Sequence, residues 1–131
     1  MALRLLHEDH TLTISYDYLN DWLYVDWAPE QDLQSVQQGC LKMLELLQTE
    51  CCRKVLNDNR RVQTIWSEAA EWGGRVWFPA MAEGGLEYFA WVYSPNIYSR
   101  LSTDRTLAHT TKPVVVPFDS LETAASWLRQ M

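Results

Sequence analysis

The run Leu86–Tyr93 (Leu-Glu-Tyr-Phe-Ala-Trp-Val-Tyr) constrains this chain more than any other segment. It is almost wholly apolar after Glu87, with Gly84-Gly85 on one side and Ser94-Pro95 on the other. A strand with one wet face alternates polar and apolar residues, whereas a strand covered on both faces does not. The run is therefore expected to be a central strand with layers packed on both sides, the setting of a parallel sheet. Tyr88–Tyr93 is also the longest unbroken apolar run, at six residues, against the ~18 that a membrane-spanning helix needs.

The other segments alternate in kind. In Thr11–Asp17, Leu12, Ile14 and Tyr16 share one face and Thr13 and Ser15 the other, the period of a half-buried strand. Tyr18-Leu19-Asn20-Asp21 carries turn chemistry, and Trp22–Trp27 reads as a second strand, giving an antiparallel hairpin. Pro29 and Glu30 suit the opening of a helix. Leu33, Val36, Cys40, Met43, Leu44 and Leu47 then recur at helical spacing, with Gly39 among them at a cost of about 1 kcal/mol relative to alanine.

Arg53–Asp58 is a short strand centred on Val55 and Leu56, followed by the loop Asn59-Arg60-Arg61. A second helix is expected from Thr64 or Ser67, with Ile65, Ala69, Trp72, Val76 and Ala80 on its inner face. Gly73-Gly74 and Pro79 predict that it is bent or divided. Ser94-Pro95 opens a third helix reaching about Leu107, and Val114–Phe118 is the last strand. Asp119-Ser120-Leu121-Glu122 resembles a capping box for a closing helix that carries Leu121, Ala124, Ala125 and Leu128 inward. The expectation is one α/β domain over residues 1–131, ordered β-β-α-β-α-β-α-β-α. Its mostly parallel five-stranded sheet is flanked by helices, and residues 1–10 are a loosely held N-terminal segment.

Charge and cysteine usage narrow the function classes. The net charge is −6, which disfavours nucleic acid as a partner, because phosphate neutralisation needs a basic surface. The charge is uneven: residues 1–50 hold nine acids against Arg4 and Lys42, and residues 51–64 hold Arg53, Lys54, Arg60 and Arg61 against Asp58. Cys40, Cys51 and Cys52 are odd in number and lack paired spacing, so neither a disulfide framework nor a zinc site is expected, and the thiols read as reduced packing residues. The N-terminus has no signal-peptide core, which with the composition predicts a cytoplasmic protein. No nucleophile elbow, phosphate-binding glycine loop or zinc-protease motif occurs, so a catalytic role is not expected, nor is a cofactor or metal.

Three segments carry a family likeness: Lys54-Val55-Leu56-Asn57-Asp58, the run Gly85–Ser94, and Val116–Leu128 with its Phe118 and its Glu122…Ala124…Trp127-Leu128 helix. Together with the element order they resemble the SpoIIAA-like branch of the STAS superfamily, the sulfate-transporter and anti-sigma-factor-antagonist fold of small bacterial regulators. The resemblance implies a non-catalytic interaction module docking through the loop and helix after the third strand. Family members that switch by phosphorylation carry an Asp-Ser-Ser-Gly-like segment at that helix. The matching stretch here is Val62–Glu68, where Ser67 falls near the expected place, without a preceding aspartate or a following glycine. The likeness thus points to Ser67, with Thr64 beside it, as phosphorylation positions.

The residues themselves indicate the same rim. Ligands of open α/β sheets bind beyond the carboxyl ends of the parallel strands. That edge collects Asn57, Asp58, Asn59, Arg60 and Arg61, then Thr64, Trp66 and Ser67, then Ser94 and Asn96. On the docking reading an unknown protein partner meets Arg60, Arg61, Thr64 and Ser67. The seven tryptophans support a different reading. Trp66, Trp72, Trp77 and Trp91 crowd the divided helix and the central strand, as walls of a pocket for a small hydrophobic or amphipathic ligand. Exposed aromatic surface and an edge strand also make a homodimer an expectation.

Overall fold

The computed structural model describes residues 1–131. Its elements are β1 (Leu3–Glu8), β2 (Leu12–Asp17), β3 (Trp22–Trp27), α1 (Leu33–Thr49), β4 (Lys54–Asp58), α2 (Ser67–Trp72), a π-helical turn (Gly73–Trp77), α3 (Phe78–Glu83), β5 (Tyr88–Val92), α4 (Ile97–Ala108), β6 (Val114–Phe118) and α5 (Leu121–Gln130). The strands form one mixed sheet in the order β1-β2-β3-β4-β5-β6. β1 and β2, and β2 and β3, run antiparallel, and every pairing from β3 to β6 is parallel.

The α/β class stands, with six strands in place of the expected five. The additional one is β1, in the segment expected to lie loose. Its side chains are mostly exposed, so no clean alternation marks it in the sequence. Backbone pairing with β2 holds it, with a register shift between Leu5 and His7, while Leu6 packs on the core and Arg4 pairs with Glu50 at the end of α1.

Two apolar layers sandwich the sheet, because successive strand residues point to opposite faces. One face carries Leu12, Ile14, Leu23, Val25, Val55, Phe89 and Trp91 under α1, α2 and the π turn. The other carries Leu56, Ala90 and Val92 under Ala124, Ala125 and Leu128 of α5. Lys54 fastens α5 to β4 by donating to the Leu128 carbonyl at 3.0 Å. β5 is buried on both faces, as its composition requires.

Helix starts differ from the expected ones by a few residues. α1 opens at Leu33, not at Pro29-Glu30. Asp32 accepts from the Ser35 N–H at 2.8 Å and its own N–H donates to the Ser35 hydroxyl at 2.9 Å, a reciprocal cap. α4 is capped by Asn96 rather than Ser94, and α5 by Ser120 rather than Asp119. α2 begins at Ser67 without a side-chain cap.

The divided second helix is a π turn joining α2 to α3. The Phe78 N–H bonds the carbonyl of Gly73, five residues back. The extra residue rotates the helix beyond it, so Trp77, Phe78 and Met81 turn inward with Ala69, Ala70 and Gly73. Val76, expected on the inner face, is 55% exposed, and Ile65, ahead of the helix, is 55% exposed as well. The glycines serve close approach. A Cβ on Gly74 would lie 2.6 Å from the Thr106 carbonyl oxygen in α4, and one on Gly39 would lie 2.6 Å from the Trp27 ring.

Candidate functional site

The residues that the sequence sets beyond the carboxyl ends of β4 and β5 fall on two sides of the sheet. Asn57 and Asp58 are neighbours in β4, so their side chains leave on opposite faces.

On the α5 side, Asp58 is the centre of a charged cluster. Its carboxylate accepts from the Tyr24 hydroxyl at 2.5 Å, from Arg60 Nε at 3.0 and 3.1 Å, from Arg60 Nη2 at 2.8 Å and from the Arg60 backbone N–H at 3.0 Å. Burial works to raise the Asp58 pKa, but the hydrogen bonds from Arg60 and Tyr24 outweigh it and hold the carboxyl below its ordinary range. Burial pushes the Tyr24 phenol up, with the bond to Asp58 adding to the shift. Arg61 reaches Asp26 at 3.3 Å. Burial pushes the Asp26 carboxyl above its ordinary value, against the pull of Arg61. Both arginines are thus matched to acids of β3 and β4. The local positive charge legible in the sequence is balanced within the fold.

Other rim residues brace the loops. The Thr64 hydroxyl donates to the Gln31 carbonyl at 3.0 Å and accepts from the Gln31 N–H at 2.8 Å, tying the loop before α2 to the loop before α1. Ser94 is buried, donates to the Val62 carbonyl at 2.5 Å and accepts from the Asn96 N–H at 2.9 Å. Asn96 accepts from the Tyr98 and Ser99 N–H groups. Ser67, half-buried, borders an outer groove with Asp32, Gln34, Gln37, Ile65 and Glu68.

On the helix side, Asn57, Asn59 and Trp66 join a different constellation. They line a cavity of about 40 Å³ together with Trp27, Gln31, Cys40, Val62, Gly73, Trp77, Phe78, Phe89, Trp91 and Thr106, among others. Four indoles come from four separate places: the end of β3, the entry to α2, the π turn and β5. Trp66 stacks on Trp91 with centroids 5.8 Å apart and planes 18° apart. Trp77, Phe78 and Phe89 meet edge-on or tilted at 4.7 to 5.9 Å. These offset and edge-to-face contacts suit aromatic quadrupoles.

The polar atoms of this wall are nearly all committed. Trp27 Nε1 donates to Asn57 Oδ1 at 2.8 Å, and Asn57 Nδ2 donates to Asn59 Oδ1 at 3.2 Å. Trp77 Nε1 donates to the Cys40 carbonyl at 2.7 Å, and Trp66 Nε1 to the Ser99 hydroxyl at 3.3 Å. Gln31 Nε2 serves the carbonyls of Thr11 and Ala28. Trp91 Nε1 alone among the four indole donors has no protein acceptor, although Trp91 is only 5% exposed. Burial pushes the Cys40 thiol far up, so it is a neutral wall group.

Trp66 and Trp91 were legible in the sequence as pocket walls, as was Trp77. Trp72 packs on the core at the border of this cluster and does not line the cavity. Trp27 and Gln31 were missed. The period-two pattern of Trp22–Trp27 puts Trp27 on the same face as Leu23 and Val25, which was the available signal for it. No signal marks Gln31, whose place depends on two loops meeting. No helix is long and apolar enough to cross a membrane. No family model matches the chain, and no curated protein matches it.

Proposed function

We propose that this chain is a non-catalytic binding module that takes a small, uncharged hydrophobic or amphipathic ligand in the cavity walled by Trp27, Trp66, Trp77 and Trp91. The observation that carries the reading is the unpartnered Trp91 Nε1–H in that wall. Buried polar groups of native proteins are nearly always hydrogen-bonded, and an unsatisfied one costs about 1–3 kcal/mol. Apolar walls with a few polar groups are the usual make-up of a small-molecule site. The likeness to the STAS superfamily belongs to this proposal. From Leu12 onward the element order β-β-α-β-α-β-α-β-α supports it, taking α2, the π turn and α3 as one divided helix.

Native mass spectrometry of freshly purified protein tests the reading, together with ¹H–¹⁵N spectra titrated with small hydrocarbons, ketones and aromatics. The expected result is a retained or saturable ligand that moves the indole N–H signals of Trp66, Trp77 and Trp91. Spectra indifferent to every probe, with no retained molecule, reject it.

A second reading, protein docking over the loop before α2, is favoured by one observation: Ile65 is exposed beside Ser67 at the outer groove. The pairing of Arg60 with Asp58 and of Arg61 with Asp26 leaves less free positive charge there than the sequence promised. Partner capture with Ile65→Glu tests it, and a partner recovered equally by both forms rejects this face.

A further inference from the structure

We infer that the ligand carries a neutral hydrogen-bond acceptor, such as a ketone or ester carbonyl, an ether or an unprotonated ring nitrogen, and that Trp91 Nε1–H is the group that reads it. The inference rests on the cavity reading proposed for this chain and specifies the chemistry of its occupant.

Three observations converge. First, Trp91 Nε1 is a donor only, it is buried, and it lacks an acceptor, whereas the other three indoles of the wall each have one. Second, the acceptors of the wall are already engaged while this donor is not. Asn57 Oδ1 accepts from Trp27, Asn59 Oδ1 accepts from Asn57, and the Thr106 hydroxyl gives its proton to the Ser102 carbonyl. A ligand donor would find only the second lone pairs of oxygens that are already placed, whereas a ligand acceptor would satisfy a buried N–H that has no partner. Third, no residue lining the cavity carries a formal charge, and burial keeps the Cys40 thiol neutral. A buried carboxylate or ammonium would find no counter-charge and would bear a heavy desolvation cost, so the occupant is neutral.

The same walls set size and route. A space of about 40 Å³ fits the compact end of a molecule rather than a large ring system. Gln31 and Trp66 belong both to this cavity and to the outer groove bordered by Asp32, Gln34 and Ser67. A longer ligand therefore seats its carbonyl end against Trp91 and leaves past Trp66 into the groove.

The test uses 2-butanone and 2-methyl-1-butene, which match in shape and differ only in C=O against C=CH₂. Both are titrated into the full chain and followed by ¹H–¹⁵N spectra. The ketone is expected to bind more tightly, by about 3- to 10-fold, and to shift the Trp91 Nε1–H signal downfield as a hydrogen bond forms. Trp91→Phe keeps a ring and removes the donor. It should abolish that preference, so that ketone and alkene bind alike whatever their common affinity becomes. If both probes bind equally, or the Trp91 signal does not respond to the ketone, the acceptor inference falls and the cavity reading survives. If neither probe nor any other small molecule binds, the cavity reading itself falls. A water held on Trp91 Nε1 that the ketone does not displace also overturns the inference. The wild-type Trp91 signal decides the matter even if Trp91→Phe folds poorly.

Discussion

Trp66 and Trp91 stack at 5.8 Å although they lie 25 positions apart, one at the entry to α2 and the other in β5. Trp66 is further held from α4, where the Ser102 hydroxyl accepts its backbone N–H at 3.2 Å and Ser99 accepts its ring N–H at 3.3 Å. A helix start that lacks its own side-chain cap is thereby fixed by a neighbouring helix and by the sheet.

Trp66→Ala is expected to destabilise the fold by about 3–5 kcal/mol, the range for truncating a buried large aromatic side chain, because it removes the stack and widens the cavity. Urea denaturation measures this. Trp66→Phe should lose less, since a ring still faces Trp91. A midpoint unchanged by Trp66→Ala would show that the stack contributes nothing.

The Asp58 carboxylate predicts a pH signature. Its pKa is depressed in the fold, by hydrogen bonds that outweigh burial. Such a group stabilises above its unfolded pKa of about 3.9 and loses that contribution as the pH falls through the folded value. Asp58→Asn should therefore cost about 1–3 kcal/mol at neutral pH, with the gap to wild type closing below about pH 4. Asp26 has the opposite sign. Burial raises its pKa, so its ionisation opposes folding as the pH rises from the unfolded value through the folded one. Asp26→Asn should thus be the milder change at neutral pH. Urea midpoints from pH 3 to 8 separate the two, and equal, pH-independent losses would contradict both.

Gly74→Ala should destabilise by about 1–3 kcal/mol, since its Cβ would sit 2.6 Å from the Thr106 carbonyl and 3.0 Å from the His109 carbonyl carbon, both backbone. Gly73→Ala meets only the Thr106 methyl at 3.2 Å and should cost less. Chemical denaturation of the two variants ranks them. The reverse order would mean that α4 does not press on the π turn as described.

Thiol labelling of the folded protein should be fast at Cys51, which is exposed, and slow at Cys40 and Cys52, which are buried. Burial also pushes the Cys52 thiol up, to about 12, and so suppresses the reactive thiolate. One rapid equivalent is expected in buffer and three in urea. Three rapid equivalents in buffer would contradict the packing around α1.

Much of the architecture was legible because its signals are local. Alternation marked β2, the turn after it marked the hairpin to β3, the apolar run marked β5, the 3.6-residue stripe marked α1, and glycine and proline marked the break between α2 and α3. β1 was not legible, because an edge strand with exposed side chains is held by backbone bonds, which no side-chain pattern records. The inner face of the divided helix was misread at Val76, since a π turn shifts the helical phase that periodicity assumes constant.

For the site, the sequence alone determined which chemistry is present: a basic rim loop, a surplus of tryptophan and no catalytic motif. The tertiary structure decided how that chemistry is spent. Arg60 and Arg61 find Asp58 and Asp26, Thr64 finds Gln31, and Trp27 joins Trp66, Trp77 and Trp91 around one space. The reason is physical. Residue type sets what a side chain can donate, accept or bury, while its partner is whatever the packed layers bring within about 3 Å, and that distance is not written in any local spacing.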